Sequence, residues 1–520
     1  MKLQRFQVLV LGSGFAGSLM AMIARRLGLS VALVERGRHP RFVIGESSTP
    51  LANLLLEEIA DEFDLPCVRP LSKWGTWQQQ TPQLACGLKR GFTFYQHQLD
   101  QPFRPDPERR RQLLVGASPR EEVADTHWYR PDFDHYLVEQ ARGLGVAYFD
   151  EVELTGAEED ASGIRLSGRR HGEAVDFAAD FVFDATGPRG FLHRTFGLPE
   201  KTFAGLPPTQ ALFSHFTGVG SLPERFHSPV GRIPPYPVEQ AAVHHVFPGG
   251  WIWVLKFNNG VTSAGVAATD SLANALDFQS GEPAWHKLLG RLPSLAEMFA
   301  TSRAIVPFIH QPRLAFQSGV VAGRRWALLP SAVGVVDPLL STGFPLTLLG
   351  VTRLGKLLKS SWRMPEFGCG LDEYARLTVL ELETTARLIG ALYATMDRFE
   401  LFSSLSLLYF AAASYSETAR RLRKPELADS FLLCGKPDFA KQLQRFCEAV
   451  RQPAAAGEVG KLERQIREAI EPFDVAGLTD QTRHPWYPAL VSDLYRGAPK
   501  FGVGDLEVMA MLARCGLAAG

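Results

Sequence analysis

Val8-Leu-Val-Leu-Gly12-Ser-Gly14-Phe15-Ala16-Gly17, followed by Val31-Ala-Leu-Val-Glu35, decides the fold. An apolar strand, a Gly-x-Gly-x-x-Gly turn, a helix and a second apolar strand ending in an acid form the fingerprint of a dinucleotide-binding β-α-β unit. Gly12 allows the tight turn off the first strand. Gly14 lets backbone approach a pyrophosphate, and Gly17 lets the helix that starts there pack closely on the strand. Phe15 and Ala16 sit in the same turn, whose N–H groups face the phosphates. Glu35 is placed to accept hydrogen bonds from ribose hydroxyls, and an acid there disfavours a 2′-phosphate, so FAD or NAD fits better than NADP.

Composition excludes several classes. The chain has 520 residues, more than one domain usually holds, and 46% hydrophobic with 21% charged residues is a globular balance. Its 55 basic and 55 acidic residues cancel, which leaves no nucleic-acid footprint. The basic runs Arg109-Arg110-Arg111 and Arg420 to Lys424 read as solvated faces. Cys67, Cys86, Cys369, Cys434, Cys447 and Cys515 lack metal or disulfide-framework spacing, so a reduced, cytoplasmic setting and no metal site are expected. The first strand begins almost at Met1, which leaves no room for a signal peptide, and Leu401 to Ala413 is too short an apolar run to span a bilayer.

The pattern along the chain predicts an α/β architecture. It comprises a Rossmann-like FAD-binding domain with a mixed sheet, an antiparallel substrate-covering sheet and a C-terminal helical region. The expected division is 1–360, with the covering sheet inserted at about 60–105 and 190–315, and 361–520. Val146 to Val152, Ile164 to Leu166 and Ala174 to Ala185 read as short antiparallel strands. The segment around Lys89 at 85–103 reads as a strand of the covering sheet, with the runs at Ala211, Ala242 and Trp251 to Phe257. Arg130-Pro131 begins a helix. Arg325 to Leu329 re-enters the flavin domain, and beyond Gly343 the chain is helical, with breaks at Pro365, Pro437, Pro453 and Pro485 to Pro488. Pro453 to Gly460 is a low-complexity surface loop.

Gly45-Glu46-Ser47-Ser48-Thr49-Pro50 follows the second strand where a nicotinamide dehydrogenase would continue into another β-α unit, which favours FAD. With further landmarks in order, the chain resembles the flavin-dependent halogenases, tryptophan halogenases among them, over residues 6–355. These landmarks are Leu88-Lys89-Arg-Gly91-Phe-Thr-Phe94, Arg130-Pro-Asp-Phe-Asp134, Asp184-Ala-Thr-Gly187, Trp251-Ile-Trp253 and Asp337-Pro338-Leu-Leu-Ser341-Thr342-Gly343. The resemblance implies FAD contacts at Glu46, Ser47, Arg130, Asp337 and Pro338, and halide bound by the amides of Thr342 and Gly343. It makes Lys89 the catalytic lysine, which holds hypohalous acid or a haloamine for an electron-rich aromatic substrate, free or carrier-protein-bound. It sets Trp251 and Trp253 between flavin and substrate chamber. With one dinucleotide fingerprint, reduced flavin is expected from a separate reductase.

Plainer readings stand beside these. Lys89 is also consistent with a surface base, Ser341 to Gly343 with an ordinary helix start, and the two tryptophans with a core strand. His244 and His245 read as structural. The chain also departs from the family pattern. Leu255-Lys256 replaces Ile-Pro, Ser331 stands where the superfamily carries an acid, and Leu340 occupies the position of a substrate-side glutamate. Val335 and Phe344 replace a phenylalanine and a glycine. A flavin monooxygenase or reductase of the same fold, and a non-catalytic flavoprotein, are the alternatives.

Overall fold

The computed structural model describes residues 3–222, 226, 233–452 and 456–517. Among these, seven strands form the first sheet. Its spine is parallel. Gln4–Leu11 lies between Val31–Val34 and Glu173–Asp184, with Ala147–Phe149 outside Val31–Val34 and Trp326–Leu328 beside the end of Glu173–Asp184. Val8, Leu9, Val10 and Leu11 are all buried, as expected of a parallel strand covered on both faces. Val152–Asp160 and Gly163–Arg170 extend the sheet as an antiparallel meander onto Glu173–Asp184. Ala147–Phe149 was read from sequence as antiparallel, yet it pairs parallel to Val31–Val34 because the helix Arg130–Gly143 makes the crossover.

The nucleotide turn shows why its glycines are required. Helix Phe15–Arg26 starts directly after Gly14, two residues earlier than the spacing implied. Gly12 has φ +88°, where a side chain is strained. A Cβ on Gly17 would lie 1.9 Å from the Gly12 carbonyl oxygen, so only glycine lets the helix sit this close to the strand. Gly14 differs: a Cβ there meets Arg130 at 3.6 Å and Asp134 at 3.8 Å, ordinary contacts.

The second sheet has nine strands among the described residues and covers the first domain. Thr209–Thr217, Thr262–Thr269, Gly250–Lys256 and Ala242–Phe247 run antiparallel in that order, but Ala242–Phe247 pairs parallel to Gly91–Gln96. The expected antiparallel sheet is therefore mixed. The sequence reading also needs correction at Lys89. Cys86–Lys89 leaves the covering sheet and pairs only with Asp125–Trp128 in a two-stranded sheet, and the strand proper begins at Gly91. Gln112–Gly116, outside the expected insertion limits, pairs with Gly91–Gln96.

The region after residue 361 is helical, with long helices Glu366–Tyr393 and Phe399–Arg421. It is not helical throughout: Trp486–Tyr487, read from sequence as a break, adds a strand beside Gln112–Gly116. Nor does it have a core of its own, since Leu405, Leu408 and Phe410 share one apolar cluster with Leu55, Phe92 and Leu348. The Pro453 break lies outside the described residues, and the residues from Ala456 to Gly460 start helix Ala456–Ile470 instead of a loop. The basic runs are not wholly solvated. Arg109 is buried with its guanidinium 4.0 Å from the Trp486 ring centroid, and Arg420 pairs with Glu58 at 2.7 Å. All six cysteines are free. Among the described residues no helix is long and apolar enough to cross a membrane, and none of the described His, Cys, Asp and Glu residues group as metal ligands.

The two glycines make a paired prediction. Gly17→Ala should destabilise the protein by about 1–3 kcal/mol through overpacking. Gly14→Ala should leave the melting temperature unchanged yet weaken FAD at least ~10-fold, or about 1.4 kcal/mol, in a flavin fluorescence titration. Equal FAD affinity in Gly14→Ala would displace the cofactor from this turn.

Candidate active site

A cavity of about 820 Å³ opens where the nucleotide turn meets the covering sheet, within the range of ligand sites. Gly12, Gly14, Phe15, Ala16 and Gly17 line one end with Glu35. Glu35 accepts from the Ser13 amide at 2.8 Å, the Gly37 amide at 2.8 Å and Arg41 at 3.1 Å. Burial acts to raise its pKa, but Arg41 and the amide hydrogen bonds outweigh that and hold it below the ordinary range. An ionised carboxylate has acceptor positions beyond these, which suits a ribose hydroxyl.

Arg130 ties the middle of the cavity together. Its guanidinium grips Asp134 at 2.7 and 2.8 Å and donates to the Gly45 carbonyl at 2.8 Å, so the loop of Glu46 and Ser47 is pinned to helix Arg130–Gly143. Glu46 in turn meets His215 Nε2 of the covering sheet at 2.7 Å, both side chains buried. The far end is built by Asp337, Pro338, Ser341, Thr342 and Gly343 opposite Trp251 and Trp253. Asp337 accepts from the Leu339 amide at 3.0 Å and the Tyr393 hydroxyl at 2.9 Å, and burial pushes its pKa up to about 6. Leu340 and Ser341 both have positive φ, 65° and 56°, before helix Gly343–Ser361 begins, and a Cβ on Gly343 would meet no protein atom within 4 Å. Successive amides at a helix start facing open space can bind an anion.

The cavity fits FAD on these observations. One end has the pyrophosphate turn, a ribose acceptor and a Gly14 that protein atoms leave uncovered; the other has aromatic walls and an amide-rich loop. Glu46, Ser47, Arg130, Asp337 and Pro338 all lie along it. Trp251 and Trp253 share one face of their strand, with ring centroids 5.7 Å apart. A Cβ on the cross-strand partner Gly265 would lie 2.4 Å from Trp253, which shows how closely this indole covers the backbone.

Lys89 is no surface base: its side chain is fully buried. Nζ donates to Ser47 Oγ at 2.8 Å and to the Ser48 carbonyl, and lies 3.8 Å from the Phe92 ring centroid. Burial pushes this amine below its ordinary range, while the Asp125 carboxylate opposite acts to raise it. His244 is stacked on Phe94 at 4.4 Å, and burial, aided by Lys89, lowers it to about 3, so it is neutral. Lys73, the nearest lysine before it in the chain, pairs with Glu57 at 3.3 Å.

A second cavity, about 170 Å³, lies beyond Lys89. Its walls are Thr49 to Leu51, Phe92, Val115, Tyr409, Phe410 and the C-terminal residues Leu494 and Met511, with Asp125 among them. Ser47 lines the large cavity and Phe92 the small one, and Lys89, which lines neither, contacts both of these residues. Trp251 and Trp253, expected at the substrate chamber, line the large cavity and not the small one. Sequence reading missed Asp125 and the aromatic wall of Tyr409 and Phe410. Nothing in Asp125-Thr-His-Trp128 marks it, because only the strand register sets Asp125 opposite Lys89.

The departures have local causes. Phe344 stacks on Trp128 at 4.2 Å and meets Phe15 edge-on at 5.1 Å, filling space a glycine would leave. Lys256 pairs with Glu239 at 2.7 Å. Ser331 lines the large cavity on the turn Pro330–Val333, Val335 pairs with Phe316, and the Leu340 side chain is wholly buried.

No family model matches the chain. It is 28% identical over 411 residues to the monodechloroaminopyrrolnitrin halogenase PrnC of Pseudomonas fluorescens, covering 78% of this chain and 70% of that one. It is 25% identical over 515 residues to the tetracycline 7-halogenase of Kitasatospora aureofaciens, covering 92% and 90%. Among solved structures, the halogenase PltM in complex with phloroglucinol and FAD superposes with a TM-score of 0.80 at 24% identity, over 93% of this chain and 99% of that one. By sequence the chain is similar to flavin-dependent halogenases, and it shares the fold of one.

Proposed function

We propose that the protein is an FAD-dependent halogenase that uses reduced flavin, oxygen and chloride or bromide to halogenate an electron-rich aromatic group. The observation that carries this reading is the buried Lys89, bonded to Ser47 of a cofactor-sized cavity and set against Phe92 of a smaller, separate one. A monooxygenase needs its substrate against the flavin. Here the smaller, aromatic-walled chamber is separate from the cofactor cavity, and an amine lies against one residue of each. The relatives act, by their names, on monodechloroaminopyrrolnitrin and tetracycline, and the same electron-rich aromatic class is proposed here.

Bound flavin supplies the oxidising equivalents that turn halide into hypohalous acid. The chain's part is to bind, orient and divide. The amides of Thr342 and Gly343 hold the halide at the helix start. Trp251 and Trp253 wall the cofactor end, which keeps the aromatic substrate from the flavin. Lys89, held by Ser47 and the Ser48 carbonyl, donates to hypohalous acid as ammonium or, as the neutral amine its burial favours, takes up halogen as a haloamine. Its position sets which ring carbon is met. Electrons come from a separate flavin reductase, since one dinucleotide fingerprint is present and FAD occupies it in this reading.

Lys89→Ala should lower halogenated product by ~10²-fold or more, while peroxide release rises as the oxidant goes unused. Mass spectrometry of a phenol, indole and pyrrole panel, with flavin reductase, NADH and bromide, is the measurement. Retained product in the variant would remove Lys89 from the reaction, and no halide-dependent product from wild type would overturn the halogenase reading.

Gly343→Pro deletes one amide donor at a first helical position, where proline is tolerated and the structure leaves space. The bromide concentration for half-maximal turnover should rise about 10-fold, the scale of one hydrogen bond to an ion, with FAD occupancy unchanged. An unchanged bromide dependence would locate the halide elsewhere.

A further inference from the structure

We propose that Asp125 receives the hydroxyl or ring N–H of the aromatic substrate in the smaller cavity and takes its proton as the ring is halogenated. The inference rests on the halogenase reading above. Asp125 is 4% exposed and forms part of the wall of that cavity. Its Oδ1 accepts from Asn53 Nδ2 at 3.0 Å, whereas the buried Oδ2 has no hydrogen-bond partner. A buried carboxylate oxygen without a donor is costly, and a substrate donor would satisfy it.

The register supplies the second observation. Lys89 and Asp125 are directly paired across the two-stranded sheet, so their side chains leave the same face. The amine and the carboxylate therefore lie side by side, and Asp125 forms part of the wall of the smaller cavity. Glu417, Arg421 and Tyr409, from helix Phe399–Arg421, complete the polar surroundings of Asp125. Leu340 stands at the position where tryptophan halogenases have a glutamate, and it is buried away from both cavities. The acid in this chain comes from a different strand.

The step balances as follows. The ring π pair attacks the halogen of hypohalous acid held at Lys89, forming the carbon–halogen bond. The halogen–oxygen bond breaks with its pair on oxygen, which leaves as water after taking a proton from Lys89. Asp125 removes the O–H or N–H proton as positive charge builds on the ring. Loss of the ring C–H proton, which returns to Lys89, restores aromaticity, and Asp125 gives its proton back to the heteroatom. The net change is ring C–H plus hypohalous acid to ring C–halogen plus water.

Asp125→Asn keeps the shape and an acceptor for Asn53. With flavin reductase, NADH, bromide and resorcinol, ring bromination should fall ~10²-fold or more. Hypobromous acid captured by added taurine should rise, since the oxidant is formed but not consumed. Ring bromination equal to wild type overturns the proposal. A wild-type comparison does not depend on the variant folding. Resorcinol should outpace 1,3-dimethoxybenzene at least ~10-fold after each rate is divided by that with free hypobromous acid, and equal ratios overturn the proposal. Wild type that yields neither brominated ring nor taurine bromamine overturns the halogenase reading, and this inference falls with it.

Discussion

A lysine with no exposed surface, held by one hydroxyl and one backbone carbonyl, is the constraint on which the rest of the site depends. Burying an amine is expensive unless it is neutralised or paired, and among the described residues Lys89 bonds to a hydroxyl and a carbonyl and to no carboxylate. Its two oxygen partners both come from the loop after the second strand. That loop is fixed from one side by Arg130 on the Gly45 carbonyl and from the other by His215 on Glu46. The same loop therefore lines the cofactor cavity with Gly45, Glu46 and Ser47 and sets the position of the amine. Movement at the flavin would reach Lys89 through two hydrogen bonds, with no other element between.

The division into two cavities follows from packing. Gly91–Gln96 and Gln112–Gly116 extend the covering sheet past the cofactor, and helix Phe399–Arg421 lays Tyr409 and Phe410 against Phe92. The smaller cavity is what remains between sheet and helix. Its apolar walls suit a flat ring, and its polar end holds Asp125. Most of the C-terminal region thus serves as one wall of a chamber whose other wall lies over 300 residues earlier in the chain.

Legibility in the sequence follows how local each feature is. The nucleotide unit was readable because the reasons for Gly12, Gly17 and Glu35 lie within 35 residues of one another, in a unit that packs on itself. Arg130 was readable as part of a helix start, but its grip on Gly45 was not. Lys89 could be singled out only through a resemblance; composition around it equally fits a surface turn, and the strand read through it actually breaks at Arg90. Asp125 gave no signal, since its importance comes from the Lys89 register and from a helix near residue 410. The sheet after Pro485 was hidden for the same reason: Trp486–Tyr487 is a strand only because Gln112–Gly116 offers an edge.

The central claim is that flavin and aromatic ring occupy different cavities with Lys89 between them. A crystal structure of the protein with FAD and a halogenated phenol tests it directly. The account predicts the isoalloxazine beside Trp251 and Pro338, and the phenol against Phe92 with its hydroxyl on Asp125 and Lys89 in the intervening wall. A phenol stacked on the isoalloxazine in the larger cavity would contradict it.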